Sequence, residues 1–120
     1  MRKAKTTNPE LIMLIRFLKK QSRENNVKIW KDVAERLAKP KRKRIAVNVS
    51  RLNRYTEKKE TIVVPGKVIG TGKIDHPITV AAFSFSEKAK EKIKAARGKT
   101  ISLLQLIKKN PKGSNVKIIG

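Results

Sequence analysis

A mixed α and β domain, with a helical hairpin leading into a strand-rich centre, is predicted by three features of the chain. Apolar residues recur at helical spacing before Pro40, β-branched residues dominate a nearly acid-free run over 61–86, and helical spacing returns after Ser86. In the central run, Val63, Val64, Val68, Ile69, Ile78, Thr79 and Val80 suit a pleated, buried surface. Pro65-Gly66 predicts a type II turn between two strands, because Pro presets φ at the first central position and Gly allows positive φ at the second. Gly70-Thr71-Gly72 and Asp75-His76-Pro77 predict two further bends. In the strand that follows, Ile78, Val80 and Ala82 form one face and Thr79, Ala81, Phe83 and Phe85 the other. Both faces are mostly apolar, which predicts a strand covered on both sides.

The flanking elements follow in order. Asn8-Pro9-Glu10 is a helix start, with Asn as N-cap, Pro at the first helical position and an acid facing the positive end of the dipole. Leu11, Leu14, Ile15 and Leu18 give that helix one apolar face. Glu24-Asn25-Asn26 interrupts the pattern, which restarts with Ile29, Trp30, Val33, Ala34 and Leu37 and is stopped by Pro40. Two helices therefore form an N-terminal hairpin. Val49 and Leu52 predict a short helix capped by Asn48 or Ser50, on which Arg51 and Arg54 share a face. Ser86-Glu87 opens another helix, with Ala89, Ile93 and Ala96 inward and Lys88, Lys90, Lys92 and Lys94 largely outward, until Gly98 ends it. Ser102 and Gln105 have capping-box spacing for a last helix through Lys109. Asn110-Pro111-Lys112-Gly113-Ser114 then turns into a strand over 116–119.

Charge limits the function more sharply than length does. Lysine and arginine number 31 against 9 acidic residues, a formal net charge of +22 within 120 residues, so the chain calls for a polyanionic partner. The excess is shared by both halves, which predicts one basic domain over 1–120 with a short basic tail at 1–7, not a neutral domain with a charged extension. Cysteine is absent, excluding disulfides and thiolate metal sites. The longest uncharged run near the centre is well short of the roughly 20 apolar residues of a membrane span, and no apolar segment follows Met1-Arg2-Lys3, so a soluble, unsecreted chain is expected.

The densest charge run, Lys39-Pro40-Lys41-Arg42-Lys43-Arg44, surrounds a proline that forbids helix, and no acid lies between Arg36 and Arg54. A loop that clamps phosphates is expected there; the run also has the composition of a nuclear-localisation cluster. Further candidate nucleic-acid contacts are Arg2, Lys3 and Lys5 in the tail, Arg51 and Arg54 on the short helix, Lys67 and Lys73 in the centre, and Lys109 and Lys112 near the end. Trp30 lies on the stripe of Val33 and Leu37 and is expected in the core. Phe83 and Phe85 have the period-2 spacing of an RNA-stacking platform, but no basic residue interleaves with them, so they too are expected to be core.

Catalysis is disfavoured. His76 is the lone histidine, and its place in an Asp-His-Pro turn is an ordinary one. Gly70-Thr71-Gly72-Lys73 fails the phosphate-loop pattern twice, at Lys67 and at Ile74. Asp32 and Asp75 offer no metal-ligand spacing. No cofactor, metal or small-molecule substrate is expected.

Several motifs, in order, resemble a known family. They are Thr7-Asn8-Pro9-Glu10-Leu11, Ser22-Arg23-Glu24-Asn25, Ile29-Trp30-Lys31-Asp32-Val33-Ala34, residues 47–54, Val64-Pro65-Gly66-Lys67-Val68, and Asn110-Pro111-Lys112-Gly113-Ser114. Together they resemble ribosomal protein eighteen of the archaeal and eukaryotic large subunit across the whole chain. Residues 67–99, including Phe85-Ser86 and Lys88-Ala89-Lys90-Glu91-Lys92-Ile93, are also similar to the C-terminal part of bacterial large-subunit protein fifteen. The resemblance implies irregularly wound strand-strand-helix units and a non-enzymatic, structural role in the large ribosomal subunit of the cytoplasm. It also implies that the partners are large-subunit rRNA and neighbouring ribosomal proteins. One departure is visible: the family usually has Gly-Gly after the third long helix, where this chain has Arg97-Gly98. The rival reading is a chromatin-type, nonspecific nucleic-acid-binding protein, which shares the electrostatics.

Overall fold

The computed structural model describes residues 9–39 and 45–120. Its elements are α1 (Pro9–Glu24), α2 (Ile29–Leu37), β1 (Ile45–Asn48), α3 (Val49–Tyr55), β2 (Thr61–Ile69), β3 (Thr79–Phe85), α4 (Glu87–Ala95), β4 (Lys99–Ser102), α5 (Leu103–Lys109) and β5 (Val116–Ile118). All five strands are parallel, in the order β1-β2-β3-β4, with β5 also on β2. A parallel sheet needs both faces covered. Here α1, α2 and α5 cover one face, where Leu11, Leu18, Trp30, Val33, Leu37, Val63, Ala81 and Ile107 pack together. On the other face α3 and α4 enclose Val49, Leu52, Ile62, Val64, Val68, Val80, Ala89 and Ile93. The mixed α and β domain with an N-terminal helix pair is thus present, and β3 is covered on both sides as its residues predict.

The helices begin and end for local reasons. Between α1 and α2 the chain turns at Asn26 (φ 53°), and the Ser22 hydroxyl donates to the Val27 carbonyl, satisfying a buried polar group. The Ser86 hydroxyl accepts from Ala89 N–H at 3.1 Å to start α4. Ser102 and Gln105 form the reciprocal capping box expected for α5. At the end of α4, Arg97 N–H donates to the Lys94 carbonyl and Gly98 N–H to the Ile93 carbonyl at 2.8 Å, the paired bonds of a Schellman motif. The left-handed position in that motif is Arg97 (φ 67°), not Gly98. Gly98 is needed for a different reason: a Cβ there would lie 2.4 Å from the Ile78 carbonyl oxygen.

Three strand expectations are corrected. Pro65-Gly66 is not a turn; β2 runs straight through it, with a bulge between Val64 and Lys67. Along one edge β2 pairs with β5 over Thr61–Val63 and with β1 over Gly66–Ile69, so Pro65, which has no N–H to donate, sits where one neighbour replaces the other. The same bulge places Phe85 beside Val68, and Phe85 packs on the α3–α4 side while Phe83 packs on the other. They do not share a face. The strands β1 and β4, absent from the sequence reading, complete the sheet. The N-cap assigned to Asn8 lies outside the described residues.

Candidate nucleic-acid interface

Helix α3 presents cations because its inner face is spent on the core. Val49 and Leu52 are fully buried, so Arg51 and Arg54 emerge on the solvent side. Asn48 stands at the N-cap with extended backbone but makes no side-chain cap bond. Beside this helix runs the segment that follows β2. Ser50 N–H donates to the Thr71 carbonyl at 3.3 Å, and Gly72 (φ 89°) packs so tightly that a Cβ would stand 2.3 Å from that of Ser50. Lys92 fixes the segment from below, its ammonium donating to the Gly70 and Gly72 carbonyls at 2.5 and 2.6 Å. Lys92 is therefore a structural lysine and not an outward one. Lys73 follows immediately and is exposed.

A second group of candidates lies on the opposite face. Trp30 is wholly buried and its indole N–H donates to the Pro111 carbonyl at 2.7 Å, docking the turn after α5 onto α2. Asn110 ties the turn through Ser114, accepting from its N–H and donating to its carbonyl. Gly113 (φ 66°) lies against Ile29, where a Cβ would come within 2.6 Å. Lys112 is exposed and reaches the Asn25 carbonyl at 3.4 Å, and Lys109 is exposed in the last turn of α5.

The predicted cations thus do not converge on one patch. Arg51, Arg54 and Lys73 gather around α3, whereas Lys112 lies against the α1–α2 turn and Lys109 stands in the last turn of α5. Lys67 is exposed beside the β2 bulge, and Lys39 is exposed just past α2. Arg2, Lys3, Lys5, Lys41, Arg42, Lys43 and Arg44 lie outside the described residues. Counting charge also passes over Tyr55, an exposed ring at 56 % whose centroid lies 5.7 Å from the Arg54 guanidinium and 6.0 Å from that of Arg51. The signal is an aromatic residue four positions after an arginine on one helix. Lys59, Arg97 and Lys99 were likewise not predicted; they come together only through the sheet.

Among the described residues, ion pairs join Lys20 to Glu24, Arg36 to Asp32, Lys90 to Glu87 and Lys117 to Glu60. A backbone bond from Glu57 N–H at 2.6 Å, followed by the Lys117 ammonium, holds the Glu60 carboxyl below the usual carboxylate range. His76 belongs to a structural clamp. His76 Nε2 lies 2.7 Å from the Thr56 hydroxyl, which is also 2.7 Å from the Leu52 carbonyl. Its Nδ1 lies 3.0 Å from Asp75, and this bond is the first cause of the lowered Asp75 pKa. Between α1 and α5 an open groove of about 420 Å³ is lined chiefly by Met13, Leu14, Phe17, Phe83, Leu103 and Leu104, an apolar surface unsuited to phosphate. Among the described residues no group of three His, Cys, Asp or Glu is placed to hold a metal, and no helix is long and apolar enough to cross a membrane.

The family model "Ribosomal protein 60S L18 and 50S L18e" matches residues 1–120. The large ribosomal subunit protein eL18 of Methanothermobacter thermautotrophicus is 49% identical over 118 residues, covering 98% of each chain. That of Methanoregula boonei is 50% identical over 118 residues with the same coverage, and that of Methanospirillum hungatei is 51% identical over 113 residues, covering 94% of this chain and 93% of its own. The chain therefore belongs to the family of ribosomal protein 60S L18 and 50S L18e.

Proposed function

We propose that the chain is a structural constituent of the large ribosomal subunit in the cytoplasm, where it binds large-subunit rRNA and packs beside neighbouring ribosomal proteins. The observation that carries this reading is the surplus of cations left on a folded core. With a net charge of +22, Arg51, Arg54, Lys67, Lys73 and Lys109 stand exposed with no carboxylate partner among the described residues. A phosphate backbone neutralises such a surface and releases its own counterions. The contacts are the cations of the N-terminal residues (Arg2, Lys3, Lys5), of the basic run after α2 (Lys39, Lys41, Arg42, Lys43, Arg44) and of the folded surface, including Lys112. They position the protein on RNA shape without reading bases. The protein acts by holding RNA, with no catalytic step.

The test is sedimentation with large subunits after a moderate salt wash, together with binding to large-subunit rRNA fragments and to duplex DNA at one salt concentration. Retention on subunits and preference for rRNA are expected. Recovery only from the free pool, or equal affinity for duplex DNA, would replace this function with that of a nonspecific nucleic-acid-binding protein.

A further inference from the structure

We propose that Lys59, Arg97 and Lys99 form a separate binding site for RNA phosphate at the edge of the sheet where the strands begin. This rests on the rRNA-binding function and adds to it a second surface that the predicted contacts do not include. In an all-parallel sheet every strand starts at the same edge, so the segments entering β2, β3 and β4 lie side by side there. Backbone bonds hold them in place: Lys59 N–H to the Pro77 carbonyl at 2.7 Å, Thr79 N–H to Glu60 at 3.0 Å, and Lys99 N–H to Ile78 at 2.9 Å. Between them opens a cleft of about 410 Å³ lined by Lys59, Pro77, Thr79, Arg97 and Lys99, with no carboxylate on its wall.

Charge and backbone agree on what the cleft takes. All three cations are exposed and none is ion-paired with a described carboxylate. The nearby Glu60 carboxylate is occupied by Glu57 N–H and by Lys117, 3.2 Å away. Two of the three cations stand on left-handed backbone, Lys59 at φ 66° and Arg97 at φ 67°, a conformation that glycine adopts without steric cost and other residues do not. Two strained positions on one cleft, each bearing a cation, are the pattern of backbone strain retained for a ligand. That ligand is a phosphodiester backbone, because the side chains there offer donors and positive charge and the cleft has no aromatic ring on which to stack a base. The site also lies apart from Lys73. Seven residues of β3, at roughly 3.3 Å each, separate the two ends of the sheet by about 20 Å.

The experiment compares the full chain with its Lys59→Gly/Arg97→Gly variant on a large-subunit rRNA transcript across a salt series, with the melting temperature of each free protein measured in parallel. Removing two phosphate contacts should flatten the slope of log affinity against log salt by about 1.4–1.8. The melting temperature should not fall, since glycine suits both positions. A Lys59→Arg/Arg97→Lys variant should keep the parent's slope. A glycine variant with the parent's slope and affinity would overturn the site while leaving rRNA binding intact. Equal losses in the glycine and charge-retaining variants would also overturn it, by making the two residues structural. A parent chain that failed to bind the transcript would overturn the rRNA function and this site together.

Discussion

Replacing Trp30 with alanine should unfold much of the population at modest temperature, because that side chain joins three elements at once. It is wholly buried between α2 and the sheet, and its N–H holds the turn that leads into β5. Burying a tryptophan removes about 150–250 Å² from water, and at ~25 cal/mol/Å² this gives roughly 4–6 kcal/mol as an upper bound. Measured losses for such truncations centre on about 3–5 kcal/mol. For 120 residues the unfolding entropy is about 0.25 kcal/mol/K, so a loss of ~4 kcal/mol lowers the melting temperature by about 16 °C. Trp30→Phe should cost less, about 1 kcal/mol for the hydrogen bond and ~1 kcal/mol for the lost ring area, or about 8 °C. Far-UV circular dichroism is the proper probe, since both variants lack the sole tryptophan. An unchanged melting temperature together with weakened RNA binding would show that Trp30 is a stacking residue and that the core assignment is wrong.

Three other outcomes are expected. Tyr55→Ala should weaken rRNA binding by about 1–3 kcal/mol, roughly 5- to 150-fold, if an unpaired base stacks on the ring; Tyr55→Phe should bind like the parent, and an alanine variant that did so too would remove the ring from the interface. Changing Lys41, Arg42, Lys43 and Arg44 to Ser should flatten the salt slope by about two to four units without lowering the melting temperature, whereas an unaltered slope would take these four cations out of the interface. The third concerns acid. The folded pKa of Asp75 is depressed by His76, so its stabilising contribution is present above the unfolded carboxylate value and is lost as pH falls through the folded one. The urea midpoint of Asp75→Asn should therefore lie below the parent's at pH 5–6, and the gap should begin to close only as pH falls below about 4; a gap that persisted undiminished in strong acid would place the effect elsewhere.

Helices were legible in this chain because of their apolar periodicity, and in two cases because of a serine cap. Ser86 and Ser102 cap α4 and α5 as their spacing requires, and the stripe of Trp30, Val33 and Leu37 is the buried face of α2. Two short strands, β1 and β4, were not legible, although β5 was. β1 is Ile-Ala-Val-Asn and β4 is Lys-Thr-Ile-Ser, too few residues for alternation to register, and both are strands only because distant segments pair with them. Pro65-Gly66 shows the reverse case. Its local turn preference is genuine, but the ladders to β1, β3 and β5 outweigh it, and the proline is tolerated where the edge changes partners.

The interface was half legible for a related reason. Net charge and runs such as Lys39–Arg44 announce a polyanion, and exposed arginines three apart on a helix can be read from spacing alone. A cleft made of Lys59, Arg97 and Lys99 cannot be read this way, because the first residue is some forty positions from the other two and meets them only at the edge where parallel strands begin. Its one local trace is a conflict: Arg97 occupies the left-handed place in a Schellman motif that glycine would fill with less strain, while the adjacent Gly98 is confined by the Ile78 carbonyl. A helix cap chosen for stability alone would put glycine at both positions. That an arginine stands at the first is evidence of a requirement outside the fold, and in a chain of this charge a phosphate is the group that meets it.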